Sequence, residues 1–215
     1  MVGLQPDIIV ANGTPTTVAL QQETRTIPIV FAGSDPVASG IVPRLNQPGG
    51  NITGFAFLEA TLGGKWLELL SEIAPRLKRA AIMFNPDTTL VSIFMPSLET
   101  AARSLKVAPI TATVHSDAEI GTAIIALGRE PGGGLVVMPD VFLVAHRAPI
   151  TSAAAQASVP AISWQSDFAR EGGLLSYGPD LVGAFRRAAS MWIASCAARS
   201  RAISRCSSRQ NLRWS

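Results

Sequence analysis

Charged residues, long apolar runs and cysteine are all scarce in this sequence, and each scarcity excludes a class of protein. Charged residues make up 15% of the chain against 47% hydrophobic residues, a balance that excludes general disorder. No apolar run reaches the roughly 18 residues that a membrane-spanning helix needs, so we expect no membrane insertion. The two cysteines, Cys196 and Cys206, have no companions at metal-ligand spacing and indicate no compartment.

Motifs that carry catalysis or cofactor binding are also missing. The run Gly132-Gly133-Gly134 is not followed by the Lys-Ser/Thr pair of a phosphate loop. No Gly-x-Ser-x-Gly motif for a nucleophilic serine occurs. The two histidines, His115 and His146, lack partners at metal-ligand or triad spacing. We therefore predict no enzyme activity, no metal and no cofactor.

The net charge of +3 comes from the end of the chain. Residues 191–215 hold five arginines, six serines and both cysteines, but no Asp, Glu, Gly or Pro. Without those five arginines, the chain has 13 basic against 15 acidic residues. The body of the protein is mildly acidic, so we expect no nucleic-acid partner.

Residues 6–37 are the stretch around which the chain is organised. Residues 7–11 form an apolar run typical of a buried parallel strand, and Thr14 is placed to cap a helix that begins at Pro15. Residues 29–32 read as the next strand, and Gly33-Ser34-Asp35-Pro36 repeats the arrangement, which predicts a short second helix from Pro36. Two strand ends that each carry a polar turn and a helix start form an edge suited to an anion or a zwitterion.

Strands and helices continue to alternate along the chain, which predicts an α/β fold with two Rossmann-like lobes and parallel sheets. Only two or three strands fall in the first lobe, so we predict that this lobe is incomplete. The predicted organisation is a remainder of lobe 1, then lobe 2, then a crossover that returns to lobe 1, then an aberrant Arg/Ser-rich tail: residues 1–60, 61–173, 174–190 and 191–215.

The helices predicted beyond the first two cover residues 63–74, 90–105, 117–127 and 143–157, with a last one that Asp180 caps. Pro96 and Pro149 lie inside two of these helices and predict a late start or a kink.

Several segments resemble the periplasmic substrate-binding proteins of ABC transporters, of the tryptophan/tyrosine-type family. The segments that carry the resemblance are GTPTT, TIPIVFAGSDPVASGIV, LNQPGGNITGF, GGKWLELLSEIAPRLKRAAIMFNP, VMPD and GGLLSYGPDLVGAFRRAA. They extend over roughly residues 4–190, with order and spacing like those of the family.

The resemblance implies a fold similar to type I periplasmic binding proteins. Such proteins have two lobes joined by hinge crossings, which close on a small ligand that is often an amino acid. It also implies an ABC transporter permease as partner and a periplasmic location. This chain shows no basic region followed by an apolar region at its N-terminus, so no export signal is visible and the chain as given would stay in the cytoplasm.

Both ends of the chain depart from the family. Residue 1 corresponds to a point well inside the first lobe, so we expect an N-terminal truncation. After Ala189 the family continues with a helix like Y-V-D-K-I-L-K-G, whereas this chain reads MWIASCAARSRAIS. Read one base out of frame, the codons for Met-Trp-Ile fit Y-V-D, so we hypothesise a frameshift after about Ser190. An exposed sheet edge in the shortened lobe would then favour aggregation.

A zwitterionic ligand needs donors for its carboxylate, an acceptor for its ammonium and apolar walls. In the first lobe, Gly13 and Thr14 are candidate carboxylate donors, although Thr14 also fits a simple helix cap. Ser34 and Asp35 lie at the second strand end, where Asp35 either accepts from an ammonium or caps a helix. Phe57 is a candidate apolar wall, or else part of the core.

The second lobe offers four further candidates at its strand ends. Asn85 either bonds the ligand or forms a turn before a proline. Asp140 is the best carboxylate of this lobe, and Trp164 either stacks on an apolar ligand or belongs to the core. Ser176 lies in the strongest family motif and binds the ligand or serves the hinge.

Two other functions stay open at this point. One is the effector-binding core of a transcription regulator of the same fold, although no helix-turn-helix precedes residue 6. The other is a small α/β enzyme that uses Asp35 and Asp140 as acid and base, for which the sequence offers no nucleophile or cofactor loop.

Overall fold

Strands and helices alternate along the chain, and the strands form two separate sheets. This computed structural model describes residues 2–44, 49–89, 91–183, 185–186 and 189. The chain divides into two compact units. Unit 1 contains the residues up to Phe57 and those from Asp180, and unit 2 is Leu58–Pro179. The predicted tail, residues 191–215, lies outside the described residues.

Unit 1 contains a three-stranded sheet with the order β1-β2-β3. Its elements are β1 (Ile9–Asn12), α1 (Thr14–Glu23), β2 (Ile29–Ser34) and β3 (Ile52–Leu58). β1 and β2 are parallel, with Ile9 opposite Ile29, so their carboxyl ends lie at the same edge of the sheet. Leu20 of α1 packs on Ile9, Ile29 and Phe31 in the core of this unit.

The start of α1 differs from the prediction that Thr14 caps it. Thr14 is already helical, and the capping position is Gly13, whose φ of +82° favours glycine. No side chain caps this helix; instead Thr17 Oγ1 donates to the carbonyl of Gly13 at 2.8 Å. The Pro15 ring, with its fixed φ, fits inside the first turn.

The predicted helix from Pro36 is wrong, because residues 36–40 form a turn. Ser39 Oγ donates to the carbonyl of Asp35, and Gly40 ends the turn with a φ of +69°. The carbonyl of Pro36 accepts from the N–H groups of Ile41 and Val42, at 2.8 and 3.1 Å, instead of from residue 40 as in an α-helix, and Ile41 and Val42 then enter the core.

Unit 2 contains a five-stranded, fully parallel sheet with the order β5-β4-β6-β7-β8. The strands are β4 (Arg79–Phe84), β5 (Ala108–Thr113), β6 (Gly133–Val137), β7 (Ala161–Ser163) and β8 (Leu175–Ser176). The helices are α2 (Leu62–Ile73), α3 (Met95–Leu105), α4 (Asp117–Gly128), α5 (Val141–Ala145), α6 (Arg147–Gln156) and α7 (Ser166–Arg170).

Two prolines shape the helices of unit 2. α3 starts at Met95 with Pro96 in its first turn, which confirms the predicted late start. The helix predicted over residues 143–157 is instead two helices, α5 and α6, that meet at His146. Pro149 has no N–H for the carbonyl four residues earlier, so a single continuous helix is unfavourable and α6 begins anew at Arg147.

The crossover that we predicted from residue 174 begins later. Leu175 pairs with Ile162 and Ser176 with Ser163, so β8 is a strand of the unit 2 sheet. Unit 1 resumes at Asp180, where Oδ1 of that residue accepts from the N–H of Gly183 at 3.0 Å. Asp180 therefore caps the final helical stretch as predicted.

The strand order of unit 2 determines where a site is expected. The chain moves outward from β4 to β5, then crosses back over β4 to reach β6, β7 and β8. The order therefore reverses between β4 and β6. In such sheets, the helices that follow these two strands leave on opposite sides and open a crevice at the carboxyl ends, where ligands bind.

Helices α2 and α3 contact each other through glycine. A Cβ atom on Gly63 would lie 2.4 Å from the carbonyl oxygen of Phe94, and one on Gly64 would lie 2.9 Å from that of Ser97. Gly64 N–H also donates to Ser97 Oγ at 3.2 Å. Only glycine therefore permits this close approach of the two helices.

Replacing Gly63 by alanine should destabilise the chain because the new methyl group collides with backbone, which cannot move aside cheaply. We expect Gly63→Ala to lower the free energy of unfolding by about 1–3 kcal/mol. Gly121→Ala is the matched control: Gly121 lies within α4 with nothing within 4 Å of a Cβ. That substitution should stabilise by about 0.5–1 kcal/mol through helix propensity. Urea denaturation of both variants measures the free energy of unfolding. Equal changes in the two variants would contradict the close contact at Gly63.

An ion pair ties α6 to the end of α7. Arg147 Nε and Nη2 donate to the two carboxylate oxygens of Glu171, at 2.6 and 2.8 Å. The hydrogen bonds from Arg147 lower the pKa of Glu171, outweighing desolvation. The same pair raises the pKa of Arg147.

The lowered pKa predicts a stability contribution that depends on pH. A carboxylate with a lowered pKa in the folded state stabilises the fold above its unfolded pKa, about 4.3 for Glu, and loses this effect as the pH falls through the folded value. Glu171→Gln should therefore lower the melting temperature at pH 7, and the difference from the parent should shrink as the pH falls below the unfolded pKa and through the folded one. Glu99→Gln is the control, since Glu99 is exposed on α3 without an ion-pair partner among the described residues. A difference that persists unchanged at low pH would contradict the assignment.

Candidate functional site

The carboxyl edge of the unit 2 sheet collects the four candidates that the sequence placed in the second lobe. Asn85 follows β4 directly, Asp140 follows β6, Trp164 follows β7, and Ser176 is the last residue of β8. Asn85 and Asp140 lie on the two sides of the strand reversal. The fold thus brings these residues to one edge, while their roles in binding stay a prediction.

Asp140 is buried, and both of its carboxylate oxygens are engaged. Oδ2 accepts from the N–H of Asn85 at 2.6 Å. Oδ1 accepts from Thr88 Oγ1 at 2.6 Å and from Phe142 N–H at 2.7 Å, with Leu143 N–H at 3.4 Å. With four donors already in place, the geometry favours a positioning role, in which Asp140 holds the loop after β4 against the start of α5.

Asn85 combines the two roles that its sequence position left open. Its Oδ1 accepts from the N–H of Asp87 at 2.8 Å, which closes the turn through Pro86. Its side-chain Nδ2 makes no hydrogen bond to any described residue and is not a buried unsatisfied atom. Asn85 therefore forms the turn through its oxygen and keeps its NH₂ group available to an acceptor.

Trp164 is half-buried beside a cavity of about 10 Å³, which is too small for a ligand. The ring shares this cavity with Leu143, Arg147 and Phe168, so part of it packs against the helices. Its indole N–H makes no hydrogen bond to any described residue. The packing supports the core interpretation for part of this side chain, and the rest is accessible.

Sequence reasoning did not assign site roles to two other residues at this edge. Thr88 bonds Asp140, and Val141 is 62% exposed although it follows β6 closely. Tyr177, which shares the family motif of Ser176 and with it was expected to bind the ligand or serve the hinge, is 43% exposed. The signal for Thr88 was its place in the polar turn after β4. Nothing in the sequence distinguishes Val141 from an ordinary helical residue.

The carboxyl edge of the unit 1 sheet brings together the turns after β1 and β2. Gly13 N–H donates to the carbonyl of Ala32 at 2.8 Å, and Thr14 Oγ1 lies 3.5 Å from Ser39 Oγ. Ser39 Oγ in turn donates to the carbonyl of Asp35 at 2.7 Å. The first turn of α1 and the Asp35 turn are therefore neighbours, as the parallel pairing of the strands requires. Ser34 ends β2 next to them, half-buried.

This edge carries donors and an acceptor that the fold does not use. Thr14 and Thr16 lie in the first turn of α1, where backbone N–H groups have no partner within the helix, and no side chain caps them. Asp35 Oδ1 accepts from the N–H groups of Val37 and Ala38, at 2.9 and 3.1 Å. Asp35 Oδ2 has no partner among the described residues.

Phe57, predicted as an apolar wall, lies near the end of β3. Its ring is 6.5 Å from that of Phe185 in the final helical stretch, at an angle of 58°. Phe57 is half-buried, so its ring takes part in packing within unit 1 and is also accessible.

The two histidines gain carboxylate neighbours that their sequence spacing did not reveal. His115 is 3.5 Å from Asp87 and 3.4 Å from Glu119, and the N–H of His115 lowers the pKa of Glu119. His146 is 3.7 Å from Asp117.

Within the described part of the chain, no group of three or more His, Cys, Asp or Glu is placed to hold a metal ion. No helix among those residues is long and apolar enough to cross a membrane.

Comparison with known proteins identifies relatives in both sequence and structure. Residues 1–194 match the family described as ABC transporter substrate binding protein. A protein of Clostridioides difficile named tyrosine-binding protein is 28% identical over 177 residues, which is 81% of this chain. The chain spans about half, 50%, of that relative's length.

Two crystal structures match the fold over 91% of this chain and 66% of their own chains. One is a conserved domain protein of Vibrio cholerae, with a TM-score of 0.81 and 29% identity. The other is described as an ABC domain in complex with L-Trp from Streptococcus pneumoniae, with a TM-score of 0.81 and 20% identity, a level that shows the fold alone. These matches confirm the predicted α/β fold of the periplasmic binding protein type.

The family match also answers the question of enzyme activity, since the proteins of this family bind substrates and are not enzymes. With 194 of its 215 residues covered by that match, this chain belongs to the ABC transporter substrate-binding protein family.

Proposed function

We propose that this chain binds an amino acid, or a similar zwitterion with an apolar or aromatic side chain, in a cleft between two lobes and delivers it to an ABC transporter permease. The observation that carries the proposal is the carboxyl edge of unit 1. There, the uncapped first turn of α1 lies next to a carboxylate oxygen of Asp35 that has no partner among the described residues.

These groups match the two charges of an amino acid. Backbone N–H groups at a helix N-terminus favour a negative group such as the ligand carboxylate. Thr14 and Thr16 supply such N–H groups, and Thr14 adds a hydroxyl. Asp35 Oδ2 accepts from the ligand ammonium while Oδ1 keeps the turn closed. Donors for a carboxylate lie beside an acceptor for an ammonium, and this combination favours a zwitterion over a sugar or a simple anion.

Unit 2 supplies the remaining contacts in this proposal. Asn85 Nδ2 donates to the ligand, and the exposed part of the Trp164 ring forms an apolar wall. Ser176 contributes a hydroxyl at the end of β8. Asp140 acts through Asn85, which it holds in place. An aromatic side chain on the ligand is supported by the names of the relatives, one called tyrosine-binding and one solved with L-Trp.

Transport and location follow from family membership. Substrate-binding proteins hand their ligand to a membrane permease, and closure of two lobes around the ligand is the usual signal. We therefore propose a permease partner and a periplasmic place of action.

The zwitterion assignment is tested with ligands that lack one charge. Isothermal titration calorimetry of the chain with L-tyrosine and L-tryptophan should show binding. Tyramine, which lacks the carboxylate, and 3-(4-hydroxyphenyl)propionate, which lacks the ammonium, should each bind at least about tenfold more weakly, because a hydrogen bond to a charged group contributes about 1.5–3 kcal/mol. Equal affinity for L-tyrosine and either analogue would overturn the assignment.

Asp35 provides the residue-level test. Asp35→Asn keeps an oxygen for the N–H groups of Val37 and Ala38 but removes the charge, so L-tyrosine should bind about tenfold or more weakly with little change in stability. Asp180→Asn is the matched control, because Asp180 also accepts from a backbone N–H in unit 1 and the substitution removes the same charge. Similar affinities for the two variants would show that Asp35 has no contact with the ammonium.

A further inference from the structure

The chain passes between the two units twice, and both passages are fastened to the same pair of helices. The first passage lies between Phe57 and Leu58, and the second between Pro179 and Asp180. Within three residues of each passage, a side chain from α2 or α3 holds a backbone carbonyl of unit 2. These two fastening points are at Ala60 and at Tyr177.

The second passage is held by Trp66 of α2. This side chain is fully buried, and its Nε1–H donates to the carbonyl of Tyr177 at 2.7 Å. The N–H of Tyr177 donates to the carbonyl of Ser163 at 2.9 Å, so both backbone groups of this residue are fixed. Gly178 follows in close contact, since a Cβ there would lie 2.0 Å from the carbonyl oxygen of Trp164.

The first passage is held by Ser97 of α3. Its hydroxyl donates to the carbonyl of Ala60 at 2.5 Å, with the carbonyl of Phe94 as a second acceptor at 3.0 Å, and accepts from the N–H of Gly64 at 3.2 Å. A single small side chain thus joins the segment after β3, the first turn of α2 and the first turn of α3.

The two fastening points belong to one packed cluster. The Trp66 ring lies 5.3 Å from the ring of Phe94, which precedes α3. The carbonyl of Phe94 is the group that excludes any side chain at Gly63. These side chains and glycines therefore form one packed cluster at the start of α2 and α3. We call this cluster the crossing clamp, and it consists of Gly63, Gly64, Trp66, Phe94 and Ser97.

We propose that Trp66 and Ser97 are positioning residues that fix both chain crossings to unit 2. Bending on ligand closure is then confined to two short segments, one between Phe57 and Ala60 and one between Tyr177 and Asp180. This inference rests on the proposed function for its effect on binding. The claim that the two crossings are held in place applies to the protein without ligand and does not depend on binding. A crossing that is already ordered costs less conformational entropy when the lobes close, so the clamp raises ligand affinity without touching the ligand.

Trp66→Phe is the informative substitution, since it keeps an aromatic ring against Phe94 and removes only the N–H donor and part of the bulk. Loss of one hydrogen bond corresponds to about a fivefold change in an equilibrium constant. We expect amide hydrogen exchange at Tyr177, Gly178 and Asp180 of the free protein to accelerate by about fivefold, and the affinity for L-tyrosine to fall by about the same factor. Ser97→Ala should accelerate exchange at Gly64 and in residues 58–61 instead.

Ile124→Val is the control for a purely structural effect. Ile124 is fully buried on α4, in a core cluster that does not include the crossing clamp. This variant should lose stability while exchange at both crossings and the affinity for L-tyrosine stay at the parent's values.

The outcomes separate the clamp from the binding proposal. Faster exchange at the crossings in Trp66→Phe and Ser97→Ala, absent in Ile124→Val, supports the clamp whether or not L-tyrosine binds. If the parent binds neither L-tyrosine nor L-tryptophan, the proposed ligand class fails and the exchange result still decides the clamp. Exchange at the crossings that matches Ile124→Val in both variants would overturn it, as would unchanged affinity in both variants of a parent that binds.

Discussion

The buried carboxylate of Asp140 is the interaction on which the candidate site of unit 2 depends. An isolated buried charge is strongly unfavourable, so such a group persists only where donors surround it. Here the donors come from two sides of the strand reversal: Asn85 and Thr88 after β4, and Phe142 at the start of α5. Satisfying one charge thus holds the two walls of the crevice at a fixed separation and leaves Asn85 Nδ2 without a partner among the described residues.

Unit 1 follows a different principle. Its polar edge is left unsatisfied, because the Gly13 capping position offers α1 no side chain and Asp35 uses one oxygen only. Uncompensated donors and acceptors at a surface are solvated by water in the free protein, and in the proposed function they bind a ligand that carries both charges.

Sequence patterns predicted the fold well wherever the apolar pattern extended over many residues or the residues that end a helix or strand were distinctive. The helix predicted over residues 117–127 is α4, Asp117–Gly128, because the Ser116 side chain caps its start locally by accepting from the N–H of Glu119. The predicted helix from Pro36 failed because Gly40, with a φ of +69°, ends the turn, and the carbonyl of Pro36 accepts from Ile41 and Val42 instead of from residue 40. The edge strand β8 has only two residues, and its pairing with β7 depends on contacts that no local pattern encodes.

For the site, sequence reasoning identified which strand ends carry polar residues but not how their hydrogen bonds are used. Asp140 has the same appearance in sequence as an open ligand carboxylate, and only its four donors reveal the positioning role. Trp66 read as an ordinary apolar residue of an amphipathic helix, since nothing local shows that its indole N–H reaches the carbonyl of Tyr177, far along the chain.

The central claim, that an amino acid binds at the carboxyl edges of the sheets, is tested most directly by NMR of the ¹⁵N-labelled chain during titration with L-tyrosine. The account predicts that the largest amide shift changes fall in residues 13–17 and 34–38 and around Asn85 and Trp164. Shift changes confined to the opposite edges of the sheets, for example around Ser158 and Gly132, would contradict it.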